Sequence, residues 1–236
     1  MNYSDLINRH KRFFLTGKTL DVSYRKDQLK AFVNAFKKNE KMLFDAVWTD
    51  FHKSEFETFA TELGILYSGA NHAKNKLSNW TKPKKVLTNL PNLPGSSYII
   101  PEPYGTALVI GAWNYPYLLS LGPLIGAMAA GNTMILKPSE LSPHASAAMA
   151  KILNENFDQE YLHVVEGGVA ETTELLRHKF DYIFFTGSSR VGKIIYKAAA
   201  EQLTPVTLEL GGKSPCIIEK DASLKVSAKR IAWGKF

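Results

Sequence analysis

The sequence predicts an α/β protein with a doubly wound parallel sheet, a helical amino-terminal segment and a protruding β excursion. Three observations lead to this fold class. Apolar residues at helical spacing fill residues 1–80, a proline-rich stretch covers residues 81–103, and short apolar runs alternate with longer segments over residues 104–210. Strand–helix alternation of this kind is typical of parallel sheets covered by helices.

The helical prediction for residues 1–80 depends on stripes of apolar side chains. Their spacings of three and four residues place them on single helix faces that pack into a core. His10, His52 and His72 lie among them without metal-ligand spacing, so we assign them no role and predict no metal site. The stripes consist of Leu6, Ile7, His10 and Phe13, then Leu29, Phe32, Val33 and Phe36, then Phe56, Phe59, Leu63, Leu66, Ala70, Ala73 and Leu77.

Residues 81–103 contain two β-rich runs, 86–88 and 97–100, separated by prolines. Proline confines such strands to sheet edges. We therefore expect an extended hairpin that leaves the main body and contacts another subunit, because exposed strand edges pair readily.

Beyond residue 103, the alternation predicts five strands and four helices. Ligands of such sheets bind beyond the carboxyl ends of the strands, so the informative residues should follow each strand. The predicted strands are 106–110, 133–136, 162–165, 182–185 and 206–208, and the predicted helices are 116–130, 143–156, 172–176 and 190–202.

Charge and composition narrow the functional classes. The net charge of +7 arises entirely within residues 1–95, but Arg25, Lys26, Lys30, Lys37 and Lys38 are scattered and indicate solvated helix faces. A basic nucleic-acid-binding protein remains the weaker alternative.

Cysteine content and hydropathy bear on the compartment. A single cysteine excludes a disulfide framework and fits a reducing, cytoplasmic environment. The start of the chain has no apolar run of the kind found in signal peptides. Residues 106–136 carry no charge, but glycines and prolines divide them into strand, helix and strand rather than a membrane span.

Two polar motifs follow the first two strands of the predicted sheet. Asn114 precedes a proline-initiated helix, where its amide suits an oxyanion donor or, equally, a helix N-cap. Lys137 and Glu140 follow the second strand and together suit the hydroxyl groups of a ribose. The alternative for this second motif is a solvated turn.

Two glycine-containing motifs follow the last two strands. Residues 186–193 form a glycine turn that opens a helix, which favours a phosphate site although the spacing matches neither a dinucleotide fingerprint nor a P-loop. Glu209 precedes two glycines, where a carboxylate with a pKa raised by burial acts as a general base; helix capping or a lysine pair is the alternative. Cys216, on a predicted strand, is interpreted as a buried structural thiol.

The order of these motifs resembles the aldehyde dehydrogenase superfamily. The motifs are WNYP, KPSE, FTGSSRVG and LELGGKSP, and flanking stretches such as DFHKSEFE, WTKPKKV and PGSSYIIPEPYG look like the class 3 branch, which handles fatty and aromatic aldehydes. The resemblance covers essentially the whole chain, which corresponds only to the amino-terminal half of a family member.

The resemblance implies a role for each motif. Asn114 would form part of the oxyanion hole and Glu209 would activate the hydrolytic water. The cofactor would be NAD or NADP, although Glu140 would repel a 2′-phosphate. The implied cofactor-binding residues are Trp113, Lys137, Glu140, Gly187, Ser188, Ser189, Arg190, Val191, Gly192 and Leu210.

The resemblance also implies what lies outside these residues. The nucleophilic cysteine of the family would follow Phe236, and residues 211–236 would begin a catalytic domain whose remainder lies in a carboxyl-terminal half. We therefore expect the chain alone to bind the cofactor weakly and to oxidise no aldehyde. The intact enzyme would be a homodimer with a small-molecule aldehyde as its substrate, and a non-catalytic nucleotide-binding or partner-binding fragment is the alternative.

Overall fold

A computed structural model describes residues 2–235 of the chain. The α-helices are α1 Tyr3–Leu15, α2 Val22–Lys38, α3 Glu40–Phe51, α4 Glu55–Thr58, α5 Gly64–Trp80, α6 Pro116–Ala130, α7 Pro143–Asn156, α8 Val169–Leu176, α9 Ser189–Glu201 and α10 Leu224–Lys235. The strands are β1 Lys84–Val86, β2 Ser97–Ile99, β3 Thr106–Ile110, β4 Thr133–Lys137, β5 Leu162–Val164, β6 Tyr182–Gly187 and β7 Val206–Leu210.

Strands β3 to β7 form one parallel sheet in the order β5-β4-β3-β6-β7. The chain runs outward from β3 through β4 to β5, then returns to the other side of β3 for β6 and β7. The order therefore reverses between β3 and β6, and a crevice opens at such a switch point. The predicted doubly wound fold is confirmed, and the observed strands and helices match the predicted ones to within three residues at each end.

Both faces of the sheet are buried under helices, because alternate side chains of a strand point to opposite faces. Val109 of β3 joins the larger hydrophobic cluster with α2, α3, α5, α6 and α7. Its neighbours Leu108 and Ile110 join a second cluster with α1, α8 and α9. The amino-terminal helices therefore share a core with the sheet.

The amino-terminal stripes are buried as predicted, with two exceptions. Phe56 is 82% exposed and Phe59 is 46% exposed. A π-helical turn over Phe59–Leu63 separates α4 from α5. Because a π turn contains an extra residue, it shifts the buried face of the helix, so Thr58, Glu62 and Leu63 are buried while Phe56 and Phe59 are not.

Arg25 also departs from the predicted solvated faces of α2. Its guanidinium is buried and donates hydrogen bonds to the carbonyl oxygens of Thr19, Leu20 and Ala129. A guanidinium with several fixed donors suits this arrangement, in which α2 is tied to the end of α6.

The β excursion forms an antiparallel pair of β1 and β2, with Lys84 opposite Ile99 and Val86 opposite Ser97. Several of its apolar side chains face solvent, and Leu87 is 98% exposed. The uncharged residues 106–136 fold into β3, α6 and β4. Across residues 2–235, the helices are all too short or too polar to span a bilayer.

The predicted strand around Cys216 is wrong. Residues 211–219 have no regular secondary structure, and the Cys216 thiol is exposed, so the prediction of a buried structural thiol is wrong as well. A strand is stabilised by hydrogen bonds to a neighbour, and within residues 2–235 the sheet ends at β7.

His10 provides a test of the packing of α1. Its ring is fully buried, and burial, followed by the neighbouring His163 and Arg9, lowers the pKa of His10 from 6.5 to about 3. The unfolded chain therefore binds a proton that the folded chain rejects between these values. We expect the contribution of His10 to stability to be fully present above about pH 6.5. From this group alone, the free energy of unfolding should fall by about 2 kcal/mol between pH 8 and pH 5.

Urea denaturation across this pH range measures the effect. His10→Leu should flatten the profile, whereas the exposed His72→Leu should leave its shape unchanged. An identical slope in wild type and His10→Leu would show that His10 is not buried in its neutral form.

Candidate active site

A cleft of about 1440 Å³ opens at the carboxyl ends of the sheet strands. Its walls come from the turns after β3 and β4, from the β6–α9 turn and from the end of β7, with α8 along one side. These turns converge because parallel strands all end at the same edge of the sheet. The predicted site residues that line the cleft are Trp113, Asn114, Lys137, Glu140, Gly187, Ser188, Arg190, Val191, Glu209 and Leu210, whereas Ser189 and Gly192 do not line it.

The turn after β3 presents Trp113 and Asn114 to the cleft. The Trp113 ring lies 6.0 Å from that of Phe51, measured between centroids. The N-cap of α6 is Tyr115, which argues against the alternative that Asn114 caps this helix. The amide of Asn114 is exposed at the cleft and is available to a ligand.

The motif after β4 combines a buried cation with an exposed carboxylate. The Lys137 side chain is buried, and its Nζ donates to the carbonyl oxygen of Pro138 at 2.6 Å. The Glu140 carboxylate lies 3.6 Å from the same Nζ. Burial lowers the pKa of Lys137, and the charge of Glu140 opposes that shift. A solvated turn is therefore the wrong description of Lys137, because its ammonium is fixed inside the wall of the cleft.

The β6–α9 turn places the start of a helix beside the cleft. Ser188 is the N-cap of α9, and its hydroxyl accepts from the Val191 N–H at 3.3 Å. The first N–H groups of a helix have no acceptor within the helix and carry partial positive charge. A Cβ on Gly192 would lie 2.8 Å from the Leu210 side chain, so the glycine lets α9 pack close to β7.

Glu209 and Leu210 end β7, opposite Thr186 and Gly187 of β6. Both side chains line the cleft, and both are exposed. Within residues 2–235, no salt bridge joins Glu209 to a lysine, and the residue lies in a strand rather than at a helix end. Glu209 is exposed rather than buried as predicted for a general base, because no described segment covers the end of β7.

Part of the cleft wall was not predicted from the sequence. Helix α8 contributes Val169, Thr172, Thr173 and Leu176, and α6 contributes Leu118, Leu119 and Pro123. Apolar and hydroxyl side chains on amphipathic helices resemble ordinary packing residues, so no pattern in the sequence distinguished them.

The donor set of the cleft fits a dinucleotide. The first turn of α9 suits a diphosphate, and the buried ammonium of Lys137 with the carboxylate of Glu140 suits ribose hydroxyls. A doubly wound sheet with these groups at its switch point defines the class of dinucleotide-binding α/β proteins.

The chain belongs to the aldehyde dehydrogenase family. The model of the "Aldehyde dehydrogenase family" matches residues 3–236, which confirms the resemblance inferred from the motifs. Members of this family use NAD or NADP.

Individual relatives support the class 3 assignment. The chain is 51% identical over 226 residues to the 4,4'-diaponeurosporen-aldehyde dehydrogenase of Staphylococcus aureus, covering 96% of this chain and 49% of the relative. It is 43% identical to the mouse (Mus musculus) "Aldehyde dehydrogenase, dimeric NADP-preferring", covering 100% of this chain and 52% of that protein. The chain therefore spans about half the length of the curated relatives it matches and corresponds to their amino-terminal half.

The solved structures agree with this assignment. The substrate-bound state of Staphylococcus aureus AldH superimposes with a TM-score of 0.94 at 49% identity, covering 100% of this chain and 52% of that one. The fold and the family are thus established independently of the site residues.

Proposed function

We propose that this chain is the cofactor-binding half of an NAD(P)-dependent aldehyde dehydrogenase that oxidises fatty or aromatic aldehydes to carboxylic acids. The observation that carries the proposal is the convergence of Asn114, Lys137, the start of α9 and Glu209 on one cleft. The nicotinamide cofactor supplies the hydride acceptor when it is bound.

Each residue in this proposal performs a separate physical task. The N–H groups at the start of α9 neutralise the diphosphate, while Lys137 and Glu140 orient the ribose. The amide of Asn114 donates to the aldehyde oxygen as negative charge develops there. Glu209, on the exposed end of β7, accepts a proton from the water that releases the acid.

The remaining parts of the proposal concern the assembly. Residues 104–210 would hold the cofactor, residues 211–236 would begin the catalytic domain, and the nucleophilic thiolate would come from a segment outside these 236 residues. The exposed apolar side chains of the β1–β2 excursion support a homodimer, as does the dimeric mouse relative. The lone cysteine supports a cytoplasmic location.

Fragment complementation tests this proposal. The chain would be mixed with the carboxyl-terminal half of the Staphylococcus aureus relative, and reduction of NAD and NADP would be followed with aliphatic and aromatic aldehydes. We expect activity from the assembly and none from the 236-residue chain alone. Cofactor reduction by the pure chain, abolished by Asn114→Ala, would contradict the assignment of the nucleophile to another segment.

A further inference from the structure

A buried carboxylate binds the start of α6, directly after the turn that carries Asn114. The Glu62 side chain is completely buried, and its Oε2 accepts hydrogen bonds from the backbone N–H groups of Tyr117 at 2.9 Å and Leu118 at 3.1 Å. These N–H groups belong to the first turn of α6, where no side chain of the turn itself caps the helix. Glu62 reaches them from the π turn Phe59–Leu63, more than fifty residues earlier in the chain.

The second oxygen of this carboxylate binds a nearly buried lysine. Nζ of Lys53 lies 2.8 Å from Oε1 of Glu62, and the lysine side chain is only 8% exposed. The same Nζ lies 4.1 Å from the centroid of the Tyr115 ring, within the range of a cation–π interaction. Lys53 thus contacts Tyr115 on one side of Asn114, and Trp113 on the other side packs near Phe51.

We infer that the Lys53–Glu62 ion pair is a positioning device for the Asn114 amide. This inference rests on the proposed function, because it assigns the pair to the oxyanion donor of that reaction. Neither residue lines the cleft, so both act through the turn rather than on the substrate. The pair fixes the start of α6 through Glu62 and the residue after Asn114 through Lys53.

The charge of the pair matters as much as its geometry. An unpaired carboxylate at the start of α6 would cancel the partial positive charge of the helix terminus and oppose negative charge developing near Asn114. Lys53 compensates Glu62, so the buried pair adds no net charge beside the reacting oxygen. Removing Lys53 alone should therefore harm the reaction more than removing both charges.

Steady-state kinetics of the complemented enzyme test the inference. We expect Lys53→Met to lower kcat about 10-fold to 100-fold, because a small displacement of an oxyanion donor is costly, while NAD affinity stays within about twofold. Lys53→Arg should retain most of the wild-type kcat. The uncharged double variant Lys53→Met with Glu62→Gln should have a higher kcat than Lys53→Met alone. Lys41→Met is the matched control, since it removes an exposed lysine paired with Asp45.

Different negative results distinguish the positioning role of the Lys53–Glu62 pair from the proposed function. If the wild-type assembly oxidises aldehydes and Lys53→Met keeps full kcat, the inference is overturned while the proposed function stands. If the wild-type assembly oxidises no aldehyde, the proposed function fails and the inference falls with it. A loss of NAD affinity equal to the loss of kcat would also overturn the inference, because it would indicate general unfolding.

A second measurement needs no assembly. In the chain labelled with ¹⁵N-asparagine, the side-chain amide resonance of Asn114, assigned by its loss in Asn114→Ala, should shift in Lys53→Met and return in Lys53→Arg. It should stay in place in Lys41→Met. An unchanged resonance in folded Lys53→Met would contradict the positioning role.

Discussion

Glu209→Gln should lower the turnover of the complemented enzyme by roughly 10²–10⁴-fold, the usual scale for loss of a general base. Glutamine keeps the size of the side chain and its place at the end of β7, but it cannot accept the proton of the attacking water. Glu209 makes no salt bridge within residues 2–235, so the substitution should disturb the fold little. Release of the acid should become the slow step, and single-turnover cofactor reduction should persist as a burst.

The matched control is Glu219→Gln, an exposed carboxylate outside the cleft. It should retain wild-type turnover. Normal turnover in Glu209→Gln would exclude the proposed role, and loss of the burst would place Glu209 in an earlier step than water activation.

Asn114→Ala should cost roughly 3 kcal/mol of transition-state stabilisation, equivalent to about 10²-fold in kcat. The amide donates to an oxygen whose charge grows only as the aldehyde is attacked, so the loss should fall on kcat rather than on NAD affinity. The structure leaves this amide exposed at the cleft and assigns the start of α6 to Glu62 instead. Measuring kcat and the NAD dissociation constant separates a loss of transition-state stabilisation from a loss of cofactor binding.

Asn79→Ala, at an exposed position of α5, serves as the control and should behave as wild type. A variant Asn114→Ala that binds NAD poorly but turns over normally would assign the residue to the cofactor rather than to the oxyanion.

Local patterns predicted most of the fold. The apolar runs at β3 and β4 and the proline-initiated starts of α6 and α7 located these elements closely, because hydrophobic periodicity and proline act over a few residues. The strand-end rule then predicted that Asn114, Lys137 and Glu209 would converge, since it depends only on the parallel topology.

Features that depend on distant contacts were not predictable. The π turn at Phe59–Leu63 changes the buried face of its helix, and Glu62 within this turn accepts a hydrogen bond from Tyr117 of α6, 55 residues later. Arg25 has the sequence surroundings of a solvated residue, but Ala129 offers it a carbonyl from 104 residues away. Cys216 sits in an apolar run typical of a strand, yet a strand also needs a neighbour, which the described residues do not provide.

Titration of the 236-residue chain with NAD tests the central claim most directly. Tryptophan fluorescence reports binding because Trp113 lines the cleft, and Trp113→Phe identifies that signal among the four tryptophans. We expect a saturable change below millimolar cofactor that Lys137→Met weakens about tenfold or more, through loss of a charged hydrogen-bond donor, and that Lys41→Met leaves unchanged. No saturable change up to millimolar NAD, or equal binding by Lys137→Met, would contradict the assignment of this cleft to the cofactor.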